Sequence, residues 1–405
     1  MQPSSLTVYG APWCPDCQRS KKFLAEHRVP YEFVDIDTDP AGLEFVQRLQ
    51  HGGRTIPTII FPDGRHLLEP GNDELAAALG LRLSAERAVY DLVIVGGGQA
   101  GLAAAIYAAR EGISALVVDR AGLGGQAGVT ERIDNYPGFP DGVAGADLAD
   151  RFVAQARRYG VELLSAVEVA GLVPQDGDVL VRLRTGQEVL AHAVLVATGS
   201  SYRRLGVPGE DELIGAGVHF CATCDGPFYR GAEELLVIGG GNSGLEEALF
   251  LAQFARRIRI VQRGPELTAS ALLQDKVRHH PQFTVHTDTT VTALAGDGGK
   301  LTEVVAHHMG TGEELRWQPA AAFVFVGLDP NAAFLRDVVD LDRWGFVRTD
   351  DTFATSMPGV YAAGDVRVGS TKQLGSAVGE GIAALLAIRG HLRRHHHVRA
   401  VDANA

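Results

Sequence analysis

Cysteine is scarce, with four in 405 residues, and none stands alone: all fall in two C-x-x-C pairs, Cys14/Cys17 and Cys221/Cys224. A secreted disulfide scaffold scatters more cysteines through a shorter chain, so that class is excluded. In a reducing compartment such pairs read as metal ligands or redox dithiols. Basic charge is also short. Thirty-seven Lys and Arg against 49 Asp and Glu leave a net charge of -12. Nucleic acid and anionic membrane surfaces need concentrated Lys and Arg, so neither is expected as a partner. The N-terminal MQPSSLTVYG has no basic n-region and no long apolar core, so no signal peptide is read there. One uncharged stretch, 92–109, has the length of a minimal membrane span. It holds four glycines and opens with LVIV, so it reads as strand, turn and helix. The location expected is cytoplasmic.

Glycine is plentiful, at 49 residues, but has no three-residue period, which excludes collagen. Hydrophobic residues at 46% and charged residues at 21% exclude wholesale disorder. A chain of 405 residues suggests two to four domains at roughly 100–200 residues each.

The first 80 residues alternate strand and helix patterns in the order β-α-β-α-β-β-α, that of a thioredoxin-like fold. LTVYG, YEFVDID and TIPTIIF are the first three strands, Asp63-Gly64 is a hairpin turn, and Asn72 or Asp73 is placed to cap the last helix. Residues 81–90 read as a linker. Two stretches further on resemble each other, 91–119 and 234–263. Each is an apolar strand, a glycine turn, an Ala/Leu-rich helix and a second apolar strand. Gly96-x-Gly98-x-x-Gly101 opens one helix and Gly239-x-Gly241-x-x-Gly244 the other. Strands are also expected at 193–199, 323–327 and 359–365, with a helix over 374–392 and a frayed tail over 395–405.

Each glycine fingerprint follows a strand and opens a helix, the context in which it binds a dinucleotide. The glycines permit the tight turn, the approach of a pyrophosphate and close helix–strand packing, while the helix N-terminus meets the phosphates. The residue 23 positions after the first glycine sorts the ligand. Asp119 can accept ribose hydroxyls, so the first unit reads as an FAD site. The second has Gln262 and Arg263, with no carboxylate to repel a 2′-phosphate and an arginine to bind one, and leans toward NADPH.

Cys221-Ala222-Thr223-Cys224 lies just before the second unit. Two thiols at this spacing can pass an electron pair by thiol–disulfide exchange, and Asp225 beside them can move the proton of a leaving thiol. A four-cysteine zinc site is the competing reading. With 203 residues between the pairs and no histidine in ligand pattern, no metal site is expected. Cys14-Pro15-Asp16-Cys17 opens a helix, whose N-terminus favours the Cys14 thiolate. Asp16 works against this, and Arg19, Lys21 and Lys22 are placed to offset it. Pro57 suits a cis peptide that would present Ile56 to a substrate peptide or thiol.

The order and spacing of GGGQAG at 96–101, GGQ at 124–126, NYPGF at 135–139, ATG at 197–199, CATCDG at 221–226, GGGNSG at 239–244 and AAGD at 362–365 resemble the low-molecular-weight thioredoxin reductases over about three quarters of the chain. The resemblance implies an α/β protein with two Rossmann-like domains, the FAD domain discontinuous over 91–201 and 320–394 around a nicotinamide domain at 202–319. It implies that Gly125, Gln126, Asn135, Thr198, Gly199, Gly364, Asp365, Lys372 and Gln373 join the FAD site, and that Asn242 joins the nicotinamide site. Cys224 would face the flavin, Cys221 attack the partner disulfide and Asp225 serve as acid, in a homodimer. The family's His-Arg-Arg nucleotide motif is here Gln262-Arg263-Gly264, with Thr268 at its further arginine. NADH therefore stays open beside NADPH. Its Arg-Gln-Ala is here Lys372-Gln373-Leu374.

The N-terminal WCPDCQRSKKFL and TIPT resemble glutaredoxins, especially the mycoredoxin type. The glutathione-type Gly-Gly-Asp is replaced by Pro70-Gly71-Asn72-Asp73. Together these imply a flavin-dependent disulfide reductase. NADPH would reduce FAD, FAD the Cys221–Cys224 pair, and that pair Cys14–Cys17, with delivery to a thioredoxin- or glutaredoxin-type protein disulfide or a mixed disulfide. The alternatives are a reductase of bacillithiol- or mycothiol-type low-molecular-weight disulfides and a flavin redox sensor without turnover.

Overall fold

The computed structural model describes residues 6–128, 133, 135–297 and 300–402, with the backbone alone at 223–224 and 395–402. The chain forms two compact units: 1–132 with 143–199 and 330–405, and 133–142 with 200–329.

The first unit begins with a four-stranded sheet. β1 (Leu6–Gly10) lies between β2 (Tyr31–Asp35), which is parallel to it, and β3 (Thr58–Ile60), which is antiparallel. β4 (His66–Leu68) pairs antiparallel on β3. Between β1 and β2 runs α1 (Pro15–Glu26), which buries Cys17, Ser20, Phe23 and Leu24. That spacing of three, three and one is one helical stripe. α2 (Pro40–Leu49) starts where Asp39 accepts the N–H groups of Ala41 and Gly42. α3 (Asn72–Ala78) is capped by Gly71, without a side-chain bond. Asn72 and Asp73, expected as caps, lie inside its first turn, where the charges of Asp73 and Glu74 favour the positive helix end. The order is that of a thioredoxin-like fold.

Residues 81–88 differ from a free linker. Gln187 brackets Ala85, accepting its N–H at 2.8 Å and donating to its carbonyl at 3.0 Å. The Glu162 carboxylate accepts Glu86 N at 2.8 Å. Leu83 packs against the cores on both sides. Leu83 and the polar ends of Gln187 and Glu162, distant in sequence, hold this segment down.

The larger sheet of the first unit begins with β5 (Val89–Val95), followed by α4 (Gln99–Arg110), β6 (Ala115–Val118), the short α5 (Gly125–Gly128), α6 (Gly145–Arg158) and β7 (Glu162–Leu164). β8 (Val169–Gln175) and β9 (Asp178–Leu183) form an antiparallel pair, and β10 (Glu188–Val196) returns beside β5. The strand order is β7-β6-β5-β10-β9-β8, with Val360–Ala362 on β10. Both faces are covered. Val93 and Val95 point into one core, Leu92 and Ile94 into the other. The last helix, Leu374–Asp402, lies on α4. A Cβ on Gly381 would sit 2.1 Å from Ala100 O, which is how closely the two helices approach. Its backbone continues past residue 392 and through most of the segment expected as a frayed tail.

The second unit holds a parallel five-stranded sheet in the order 218–219, 321–324, 232–238, 255–261 and 283–286, and an antiparallel three-stranded sheet over 289–297, 300–308 and 314–317. No helix among the described residues is long and apolar enough to cross a membrane.

Candidate functional site

Cys14 is the N-cap of α1. Its Sγ accepts Cys17 N at 3.1 Å and lies 3.9 Å from Ile56 O. Ile56-Pro57 is a cis peptide, and the Cys14 contact places Ile56 beside the first cysteine. Both thiols are free. Cys17 is fully buried, and burial, followed by its hydrogen bond with Cys14, pushes its thiol up to about 12. The pair is therefore asymmetric: a helix N-terminus faces Cys14 while Cys17 stays protonated. Of the three cations expected to offset Asp16, Arg19 does so as an ion pair, and its second nitrogen holds Pro70 O at 2.9 Å. Lys21 sits over the Phe33 ring and Lys22 faces Glu26.

The two glycine turns share one construction. Gly96 and Gly239 have φ of +113° and +129°, and a Cβ on either would meet a carbonyl oxygen 2.3 Å away. A Cβ on Gly101 would lie 2.0 Å from Gly96 O, and on Gly244 2.1 Å from Gly239 O. In the first turn Gly97 N donates to Asp119 Oδ2 at 2.5 Å, and Ala121 N to Oδ1 at 2.8 Å. In the second, Gly240 N donates to Gln262 Oε1 at 3.0 Å. The Gln262 amide oxygen thus accepts the turn N–H that an Asp119 carboxylate oxygen accepts in the first unit. Arg263 is exposed and has no carboxylate partner among the described residues. Asn242 Oδ1 accepts Ser270 N at 2.7 Å.

Asp119 is half-buried, and desolvation pushes its carboxyl up to about 6 against the two backbone donors that favour its charge. Around it are features a dinucleotide would complete. No side chain caps α4, whose N-cap is Gly98. Thr198 Oγ1 and Gln99 Oε1 are buried without a hydrogen-bond partner among the described residues. A Cβ on Gly125 would lie 3.0 Å from Gly98 Cα, so the GGQ segment closes on the glycine turn. These residues fit the pyrophosphate and ribose of FAD.

Just after the strand Val360–Ala362, Glu380 of the last helix accepts Gly364 N and Arg367 Nε, both at 2.8 Å. Lys372, with φ +56°, turns its ammonium back to Asp365 O at 2.6 Å and Arg367 O at 3.3 Å, and lies 4.3 Å from the Phe346 ring. Burial holds this amine below its ordinary range and pushes the Asp365 carboxyl up. Asn331 fixes the ATG segment through Thr198 O at 2.9 Å.

Cys221 is disulfide-bonded, and the side chain of Cys224 lies outside the described residues. Asp225 closes the short helix Ala222–Asp225, and its Oδ2 stands 3.4 Å from His219 Nδ1. The other nitrogen of that buried ring meets Tyr229 Oη at 2.7 Å. Burial, then the Asp225 charge, push the Tyr229 hydroxyl up to about 12. His219, Tyr229 and Glu380 were absent from the sequence reading. His219 stands two residues before the first cysteine of CATC, but only the fold turns it onto Asp225.

A dithiol pair, a flavin-fitting cradle and a second nucleotide turn define a nicotinamide-dependent disulfide oxidoreductase. The pyridine nucleotide-disulphide oxidoreductase model matches residues 90–381, and the glutaredoxin model matches residues 6–67. The chain is 39% identical over 303 residues to a thioredoxin reductase of Mycolicibacterium smegmatis, covering 75% of this chain and 96% of that protein. It is 38% identical over 317 residues to a bifunctional thioredoxin reductase/thioredoxin of Mycobacterium leprae, covering 77% and 68%. The thioredoxin reductase structure from Streptococcus pyogenes superposes with a TM-score of 0.72 at 35% identity, covering 76% of this chain and 99% of that one. The chain belongs to the thioredoxin reductase family, which works with FAD and NADPH, and it carries a glutaredoxin domain at its front.

Proposed function

We propose that the protein carries reducing equivalents from NADPH through the Cys221–Cys224 pair to Cys14–Cys17, and from there to a protein disulfide of thioredoxin or glutaredoxin type. Residues 1–80 are assigned to delivery, 91–201 with 320–394 to FAD, and 202–319 to the nicotinamide nucleotide. Gly96, Gly98, Gly101, Asp119, Gly125, Gln126, Asn135, Thr198, Gly199, Gly364, Asp365, Lys372 and Gln373 would hold FAD. Gly239, Gly241, Asn242, Gly244, Gln262 and Arg263 would hold the nucleotide. Bound FAD supplies two-electron exchange between nicotinamide and a disulfide.

The protein's own part is thiol chemistry. In reduced form, Cys221 attacks the Cys14–Cys17 disulfide, and one sulfur leaves as a thiolate that takes a proton from Asp225. Cys224 then attacks the mixed disulfide. One disulfide is formed, one is broken, and two electrons and two protons pass to the front pair. Glutaredoxins lie about 40–70 mV above thioredoxins in potential, so the transfer runs downhill by about 2–3 kcal/mol. The front pair repeats the exchange with the acceptor. Cys14 attacks, beside Ile56 and Pro57, and the buried Cys17 resolves. Mixed disulfides of low-molecular-weight thiols are a second acceptor class, supported by the glutaredoxin domain. We place the protein in the cytoplasm, where its free thiols persist, as a homodimer.

The observation that carries this reading is the coexistence of free Cys14 and Cys17 at the start of α1 with a disulfide-bonded Cys221 at the start of the helix Ala222–Asp225. Steady-state turnover with NADPH and NADH, with and without thioredoxin, tests it. Wild type should oxidise NADPH in a disulfide-dependent manner. Cys221→Ser should bind FAD normally and lose at least about 1000-fold in turnover. Undiminished turnover in that variant would end the relay.

A further inference from the structure

The carboxyl end of α1, in the front domain, packs on the loop that leads from β6 into α5. α1 closes in a Schellman arrangement: Val29 N donates to Leu24 O and Arg28 N to Ala25 O, both at 2.9 Å. The left-handed position of this motif ordinarily holds glycine. Here it holds Arg28, at φ +53°. The backbone would relax with glycine there, so the side chain is the reason to look for a role.

The guanidinium reaches across to the FAD side. Nη1 donates to Leu123 O at 2.9 Å and Nη2 to Asp150 Oδ1 on α6 at 2.6 Å, with the side chain one-quarter exposed. Two loop glycines and the last residue of α5 make room for this contact. A Cβ on Gly122 would lie 1.7 Å from Glu26 O, and Cβ atoms on Gly124 and Gly128 would lie 3.1 and 2.8 Å from Arg28 Nη1. The residue after Leu123 continues the chain of bonds. Gly124 N donates to Gly97 O at 2.8 Å, and Gly97 N donates to Asp119. The guanidinium is thus linked to the nucleotide turn through one loop residue.

We propose that Arg28 is a positioning residue for the FAD cradle, supplied by the fused glutaredoxin domain: it ties the loop 122–128 to α6 and holds Gly125 and Gln126 against the glycine turn. The front domain then completes the flavin site as well as delivering electrons. This rests on the assignment of Gly125, Gln126 and Asp119 to FAD made above.

The test is FAD binding to the deflavinated full-length protein, followed by quenching of flavin fluorescence. Arg28→Gly removes the side chain while relieving the backbone, so the end of α1 keeps its fold. It should raise the FAD dissociation constant about tenfold. Gly122→Ala, whose methyl must push α1 off the loop, should weaken binding comparably. Arg28→Lys, which keeps the charge without the two-nitrogen fork, should recover part of the loss. An Arg28→Gly protein that binds FAD within twofold of wild type overturns the proposal, as does Arg28→Lys binding no better than Arg28→Gly. Wild type that takes up no FAD overturns the cradle assignment itself, and the two failures are thereby distinct.

Discussion

At the scale of the residue, the two thiols of the front pair are the sharpest contrast. Cys17 is held at about 12 by burial, so at neutral pH it carries almost no thiolate, whereas Cys14 is met by Cys17 N–H at the helix start. Iodoacetamide at pH 7 should therefore alkylate Cys14 and leave Cys17 at least about 100-fold slower, as peptide mass mapping would show. Equal labelling would remove the asymmetry on which delivery depends. Asp119 gives a second expectation. Its carboxyl sits at about 6 against an ordinary 3.8. Between those values the folded apoprotein keeps a proton that the unfolded chain has lost, so apoprotein stability falls as pH rises through that window. Ribose hydroxyls favour the ionised form, so FAD affinity should fall as pH drops from 7 to 5, by up to about tenfold per unit. In Asp119→Asn the slope should flatten. A wild-type affinity independent of pH would take Asp119 out of the site. Asp119, Gln262 and the cysteines were legible in the sequence because each stands at a fixed distance along the chain from a turn or a partner. His219, Glu380 and Arg28 were not, because their partners are set by packing rather than spacing.

At the scale of the element, the two strand–turn–helix units could be read in advance because their signal is local. An apolar run, a glycine turn and an alanine-rich helix follow one another within thirty residues, as in 91–119 and 234–263. The structure adds why the third glycine is required. A Cβ on Gly101 would meet the Gly96 carbonyl at 2.0 Å, a backbone atom that cannot swing aside. Gly101→Ala should cost about 2–3 kcal/mol in urea unfolding and loosen FAD with it. A neutral substitution would mean that α4 stands further from β5 than described. Segments without a local pattern were read less well. The stretch 81–90 has little apolar periodicity and reads as linker, yet Gln187, just before β10, and Glu162 of β7 clasp its backbone from far along the chain. The last helix holds Gly390 close to its expected end, yet its backbone runs on to Asp402.

At the scale of the whole molecule, one chain joins a region of the thioredoxin reductase family to a glutaredoxin domain, and the question is what the joining does. Were the front domain a passenger, its cysteines would not limit any reaction of the reductase. If it is the delivery end, turnover must divide at Cys14. Cys14→Ser should leave the rapid phase of NADPH oxidation intact in stopped-flow, because reduction of the Cys221–Cys224 pair precedes the front domain. The same variant should lose at least about 100-fold in steady-state reduction of a glutaredoxin-type mixed disulfide. Arg28 lies at the opposite end of α1 from Cys14, and a 12-residue helix separates them by about 18 Å. Loss at Cys14 should therefore leave FAD affinity unchanged, and loss at Arg28 should leave Cys14 alkylation unchanged. Steady-state reduction surviving in Cys14→Ser at the wild-type rate would show that electrons leave from the reductase pair directly and that the front domain contributes only structure.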